Sequence, residues 1–264
     1  MKKLGKMLTV VGSICLLTAC GASNQSKNEV SSEAKSNVDK SLVEDGVLDI
    51  ATSADLPPYE FYDDNKNIIG IDAEIAQEIG KKLNVEVKIH DMDFGNIIAT
   101  IENKKMDLGV AGLSVTEERK KSVDFTDTYA KCVQKVLVKN DSPIKDIEGL
   151  KDKKIAAQLG TTGDMLAKED FGEDNVQSFA KFPDAVLALQ NGKVDAIILD
   201  DQTASKFAQA NKDLKVLEST YADEEYAMAV NKDNKELLEK VNQTIKELKD
   251  SGKLDQIVDK YIEK

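Results

Sequence analysis

The sequence predicts an α/β fold built from two similar halves, and three features of the chain carry that reading. Short β-rich runs alternate with amphipathic helical runs from residue 47 onward, the pattern of sheets covered by helices. The segment Ile98-Ala99-Thr100-Ile101-Glu102-Asn103-Lys104-Lys105-Met106-Asp107 is echoed without gaps by Val186-Leu187-Ala188-Leu189-Gln190-Asn191-Gly192-Lys193-Val194-Asp195. Both copies read as helix, tight polar turn, aspartate and buried strand, so two like units are the simplest source of the echo. Once a polar N-terminal part is set aside, about 220 residues remain, enough for two modest domains.

The N-terminal part reads as an address. Lys2, Lys3 and Lys6 precede an apolar run over 8–18, and Leu17-Thr18-Ala19-Cys20 closes it with small residues. A run that short does not span a bilayer, so residues 1–19 are expected to be a secretory signal peptide. Cys20 then reads as a lipobox cysteine that takes a diacylglycerol, with palmitate-type chains, and becomes the mature N-terminus. Such an anchor ties a protein to the outer face of the cell membrane without spanning it. Residues 20–45 are rich in Ser, Asn, Lys and Glu with no hydrophobic period, the composition of a flexible tether.

The elements follow in order. A strand is expected over 47–51, and a helix over 72–83 with Ile75, Ile79 and Leu83 on one face. A strand over 85–89, a helix over 94–103 and a strand over 108–112 come next. Thr116-Glu117-Glu118-Arg119 opens a short helix with Thr116 as its N-cap, and 133–138 is extended. The second half gives a strand over 154–157, helices over 162–169 and 183–190, a strand over 196–199 and a helix over 202–211. A strand over 226–230 and helices over 233–249 and 254–262 close the chain.

A net charge of −12 argues against nucleic-acid binding, which needs a basic face. Cys15 leaves with the signal peptide and Cys20 is lipidated, so Cys132 stands alone in the mature chain. One cysteine forms neither an internal disulfide nor a cysteine-based metal site. No HExxH, GxSxG, P-loop or GxGxxG motif is present, and the sole histidine, His90, sits on a predicted strand where a surface role is the ordinary one. No catalytic set, metal site or cofactor is therefore expected.

Three positions stand out for binding. Arg119 is the single arginine beside 35 lysines. A guanidinium grips a carboxylate bidentately where an ammonium acts as a point charge, so Arg119 is either a carboxylate anchor or a solvated first-turn residue among Glu117, Glu118, Lys120 and Lys121. Asp200 ends the apolar run Ala196-Ile197-Ile198-Leu199. It is a candidate partner for a ligand ammonium, or else an N-cap, a role Asp201 fills equally well. Gly160-Thr161-Thr162-Gly163 lies between a strand and a helix and presents backbone N–H groups to an anion. If the echo is structural, Gly112 and Asp200 end equivalent strands, where open α/β sheets bind ligands.

From about residue 47 to its end, the chain resembles the family 3 solute-binding proteins of polar amino acid ABC importers. The segments in common are Gly70-Ile71-Asp72-Ala73-Glu74-Ile75, with Ala73 smaller than usual; Gly112-Leu113-Ser114-Val115-Thr116-Glu117-Glu118-Arg119 with Val123-Asp124-Phe125-Thr126; and Asp195-Ala196-Ile197-Ile198-Leu199-Asp200. The resemblance implies a two-lobe, type II periplasmic-binding-protein fold with two chain crossovers. Lobe 1 would hold 46–128 and 227–264, lobe 2 would hold 134–221, and 129–133 and 222–226 would be hinges. It implies a non-enzymatic, monomeric lipoprotein that captures a free polar L-amino acid and passes it to ABC permease subunits. A sensor-type binding protein, or a dehydratase on the same fold, is the alternative.

For the site, the resemblance implies that Arg119 holds the ligand α-carboxylate, helped by Ser114 and the backbone N–H groups around Thr161 and Thr162. The α-ammonium would meet the Asp200 carboxylate, the Gly112 carbonyl and the Ser114 hydroxyl. Phe94 matches a position whose ring packs on the ligand, while its usual aromatic partner is replaced by Leu56, which removes a π-face for a guanidinium or amide. Ser53 stands where some binders of basic amino acids carry an acid, and Asp55, Asp93 and Gln158 are further polar candidates.

Overall fold

The computed structural model describes Val43 and residues 46–262. The expected signal peptide, Cys20 and the tether, Val43 apart, lie outside the described residues; Val43 itself is buried in the apolar core.

Strand β1 (Val47–Thr52) leads into β2 (Asp55–Leu56), β3 (Glu60–Tyr62) and β4 (Ile68–Ile69), then helix α1 (Ile71–Leu83). β5 (Glu86–Asp91), a 3-10 turn (Phe94–Asn96), α2 (Ile97–Glu102), β6 (Leu108–Gly109) and β7 (Val123–Phe125) follow. The middle of the chain holds β8 (Ala130–Lys139), β9 (Ile155–Gln158), α3 (Thr162–Phe171), β10 (Val176–Phe179), α4 (Phe182–Gln190), β11 (Ala196–Asp200), α5 (Asp201–Ala210), β12 (Leu214–Val216) and β13 (Ala222–Tyr226). β14 (Ala229–Asn231), α6 (Lys235–Asp250) and α7 (Lys253–Tyr261) end it.

Among the described residues, one sheet runs β5-β1-β6-β14-β7, with β1 parallel to β5 and β6 and β14 antiparallel to its neighbours. A second runs β10-β9-β11-β8-β12, with β13 also paired to β8. β2, β3 and β4 form a small antiparallel meander. Each large sheet anchors one lobe. In lobe 1, α1 buries Ile75, Ile79 and Leu83 against β5, α6 and α7, roughly 1.5–3 kcal/mol for each large apolar side chain removed from water. No helix among the described residues is long and apolar enough to cross a membrane.

The sequence echo has a structural counterpart. Asn103 and Asn191 follow α2 and α4, and their side-chain amides donate to the carbonyls of Ala99 and Leu187 at 2.7 and 2.8 Å. Lys104 and Gly192 then both take positive φ, 57° and 67°. Asp107 and Asp195 each lock onto the chain entering the neighbouring parallel strand. Asp107 Oδ2 accepts the Asp49 N–H at 2.8 Å, and Asp195 Oδ2 accepts the Lys154 N–H at 2.9 Å.

Two expected elements differ most. The 226–230 run is not one strand: β13 ends at Tyr226 in the second sheet and β14 begins at Ala229 in the first. Residues 226–230 are all buried because this run passes between the lobes, and full burial reads as a continuous strand from sequence. The helix expected from Thr116 reduces to a 3-10 turn, Arg119–Lys121, with Thr116 Oγ1 accepting the Arg119 N–H at 3.1 Å. The other passage covers 126–129, so residues 130–133 and 222–226 already belong to β8 and β13. The passages are bonded side by side: the Tyr129 N–H donates to Tyr226 O at 2.8 Å and the Thr126 N–H to Met228 O at 3.0 Å.

Candidate functional site

Where the carboxyl ends of β1, β6, β9 and β11 converge between the lobes, they line a narrow cavity. Gly112, Ser114 and Arg119 reach it from the loop after β6, and Leu56 and Phe94 from the rest of lobe 1. Gln158, Thr161, Thr162 and Asp200 reach it from lobe 2. These nine residues, singled out from the sequence, thus line one cavity.

Arg119 is not a solvated first-turn residue: it is 7% exposed. Its Nη1 donates to Ser114 O at 2.6 Å, and its Nη2 crosses the cleft to Gly160 O at 3.0 Å. The guanidinium lies 5.3 Å from the Phe94 ring centroid, within cation–π range. Burial pulls its pKa down to about 10, with Glu224 pushing the other way, so it stays charged at neutral pH.

Asp200 occupies the N-cap position of α5, yet its side chain makes no capping bond. It turns into the cavity instead, where Oδ1 accepts from Gln134 Nε2 at 2.7 Å and from the Cys132 thiol at 3.6 Å. Burial pushes its pKa up to about 7, and the nearby Glu224 charge adds to the rise. At the start of α3, Thr161 caps the helix by accepting the Asp164 N–H at 3.1 Å and donates to Gln158 O at 2.7 Å. The first turn of α3 therefore presents its N-terminal end to the cavity beside Thr162. Gly112 has φ +53°, and a Cβ there would stand 2.6 Å from Leu56 Cδ2. Any side chain here would be strained by the positive φ and would have to displace Leu56.

Of the further polar candidates, Ser53 lines the cavity. Asp55 stands outside it as part of an inter-lobe latch, accepting the Phe182 N–H at 2.7 Å and Gln158 Nε2 at 3.0 Å. Lys181 of lobe 2 completes the latch, donating to Asp91 Oδ1 at 2.8 Å, Met92 O at 2.9 Å and Ser53 Oγ at 3.2 Å of lobe 1. Asp93 is exposed and precedes the 3-10 turn. His90 pairs with Asp49 at 2.6 Å, away from the cavity.

Sequence reasoning missed Glu60, Gln134, Phe182 and Glu224, which also line the cavity. Glu60 interrupts the apolar run Tyr59–Phe61, a signal that was present. Glu224 was hidden in Asp223-Glu224-Glu225, which reads as a solvated acidic run. Its carboxylate accepts the Ser114 hydroxyl proton and, at 3.3 Å, Gln134 Nε2. The carboxyl groups that share the cavity with Arg119 are thus Glu60, Asp200 and Glu224. Cys132, Asp200 and Glu224 hold donor atoms within 4.8 Å of one another, the grouping a metal ion could use among the described residues. Burial, and then the Asp200 charge, push the Cys132 thiol up.

The model of the family described as bacterial extracellular solute-binding proteins, family 3, matches residues 48–264. The chain belongs to this family. Among the relatives of this family 3 protein, the arginine-binding extracellular protein ArtP of Bacillus subtilis is 34% identical over 97% of each chain. The ABC transporter glutamine-binding protein GlnH of the same organism is 30% identical over 99% of this chain and 98% of its own. Among solved structures, a mutant of the T. maritima arginine-binding protein is 43% identical, with a TM-score of 0.78 over 82% of this chain and 95% of that one. An ancestral arginine-binding protein bound to glutamine is 38% identical, with a TM-score of 0.79 over 83% of this chain and 99% of that one. The family 3 protein therefore has the type II periplasmic-binding-protein fold and is a solute-binding protein, not an enzyme.

Proposed function

We propose that the protein captures a free polar L-amino acid, arginine foremost, in the inter-lobe cavity and delivers it to an ABC permease. Lipid on Cys20 holds it at the extracytoplasmic face of the membrane. One observation carries the reading: a single buried cavity faces an arginine of one lobe with an aspartate of the other. A zwitterion spans that pair, with its carboxylate on Arg119 and the first turn of α3 and its ammonium on Asp200. The three ammonium N–H groups match the Asp200 carboxylate, the Glu224 carboxylate and the Ser114 hydroxyl. Contacts made with both lobes stabilise the closed form over the open one. Each buried charge-assisted bond contributes roughly 1.5–3 kcal/mol.

The preference for arginine rests on charge. Asp200 and Glu224 oppose the single guanidinium of Arg119 in the cavity, and Glu60 adds a carboxyl group that can ionise toward a cation, so a ligand with net positive charge suits it better than a neutral one. Glutamine is the second reading: Leu56 offers no π-face to a guanidinium, and a structural relative of this chain was solved with glutamine bound.

The test is a thermal-shift screen of the protein, refolded from denaturant to strip carried-over ligand, against the twenty L-amino acids. A ligand at 100 times its Kd stabilises by about 2.7 kcal/mol. Arginine is expected to give the largest shift and Arg119→Lys to lose most of it. If no amino acid shifts the melt while Arg119→Lys folds like the parent, the reading falls.

A further inference from the structure

Among the described residues, Glu60 is the one carboxyl side chain whose two oxygens are both buried without meeting a hydrogen-bond donor. Behind it stands Asp72 on α1, 1% exposed like Glu60 itself. Asp72 Oδ2 is fully used, accepting the Gly112 N–H at 2.9 Å and the Tyr129 hydroxyl at 2.7 Å. Its Oδ1 meets no donor and lies within hydrogen-bonding reach of Glu60.

Two buried carboxyl groups within hydrogen-bonding reach of one another do not both ionise readily, because neither desolvation nor mutual repulsion is offset. The contact is favourable when one proton lies between them. Asp72 already receives two donors, which favour its ionised form, so the proton belongs to Glu60, whose O–H donates to Asp72 Oδ1. The charged groups facing Glu60 reinforce this: Asp72 from α1, Asp55 from β2 and Asp200 from the end of β11 are all acidic. Tyr129 acts only through Asp72, and Arg119 is the cation of the shared cavity. Burial first, and then the Asp72 charge, hold the Glu60 carboxyl well above the usual range.

We infer that Glu60 is a proton-exchanging selectivity residue: it keeps its proton when a neutral amino acid such as glutamine fills the cavity and releases it to solvent when the cationic side chain of arginine arrives. The inference rests on the amino-acid-capture reading above and adds what discriminates between the two ligands. The exchange balances: Glu60–COOH plus cationic ligand gives Glu60–COO⁻ paired with the cation plus one proton in water. The arginine association constant then rises with pH up to tenfold per unit wherever free Glu60 is protonated, and the glutamine constant gains nothing from this group. Asp200 bends both curves alike, because both ligands carry the same α-ammonium. The ratio of the two constants therefore isolates Glu60.

The experiment is isothermal titration of the purified protein with arginine and with glutamine between about pH 5.5 and 8.5, in buffers of different ionisation enthalpy. The expected result is an arginine-to-glutamine ratio that climbs with pH, with up to one more proton released per arginine than per glutamine. In Glu60→Gln the ratio becomes flat. Asp72→Asn removes the charge behind Glu60 and moves the climb to lower pH. A flat ratio with equal proton release in the wild-type protein overturns the inference without recourse to a variant, and so does a slope that survives Glu60→Gln. Failure of arginine to bind at any pH also overturns it. In that case glutamine binding leaves amino-acid capture standing, and binding of neither removes both.

Discussion

Asp200 shows what a binding residue costs the molecule that carries it. Its pKa near 7 in the ligand-free cavity, above the usual carboxylate value near 3.9, means the folded chain keeps a proton that the unfolded chain loses between about pH 4 and 7. That contribution to stability is complete below the unfolded value and is lost as pH rises through the folded one. Asp200→Asn is therefore expected to melt higher than the parent at pH 8, by about 2–4 °C per kcal/mol regained, and to lose the difference at pH 4. The same substitution removes the charge that meets the ammonium, so affinity is expected to fall roughly 10- to 100-fold. In the parent, affinity for a neutral amino acid such as glutamine is expected to drop about tenfold per pH unit below 7, and in the Asn variant titration calorimetry should find that slope gone. Arg119 and Asp200 were legible in the sequence because each departs from its surroundings, one arginine among lysines and one carboxylate at the tip of an apolar strand. Glu224 departs from nothing around it. Its role comes from the pairing of β13 with β8, which places it beside Ser114 and Gln134.

At the level of elements, the repeated helix–turn–strand unit makes a paired prediction. Asp107 and Asp195 perform the same backbone lock in different lobes, so alanine at either should cost about 1 kcal/mol, and the double variant should cost the sum. Urea midpoints of the two single variants and the double check this, and a double variant no less stable than either single one would separate the two units. The long helices and the buried strands β1, β9 and β11 were read close to their observed bounds, because 3.6-residue and continuous apolar patterns extend over enough residues to register. β2, β4, β6 and β7 were missed or shortened; two or three residues do not display a period. The 226–230 run failed differently: burial told its environment correctly and its sheet membership wrongly.

For the whole molecule, closure is held by more than the ligand. Lys181 reaches Asp91, Met92 and Ser53 across the cleft, joining positions about 90 or more residues apart in sequence that no local pattern connects. Lys181 is one-quarter exposed, so its ion pair alone contributes little, about 0.5–1 kcal/mol, with its two further bonds adding to that. Lys181→Met is expected to raise the ligand dissociation rate about 3- to 10-fold in stopped flow and to leave the association rate within twofold. It should also lower the closed fraction seen by small-angle scattering at sub-saturating ligand. The paired passages between lobes fix how that closure proceeds. Two chain segments bonded along their length resist sliding past one another and resist twisting apart, yet bend easily across their common width. Such a pair is expected to act as a strap hinge with a single soft degree of freedom. The distance between any two labels on opposite lobes then traces one curve from open to closed, and one relaxation time governs the swing.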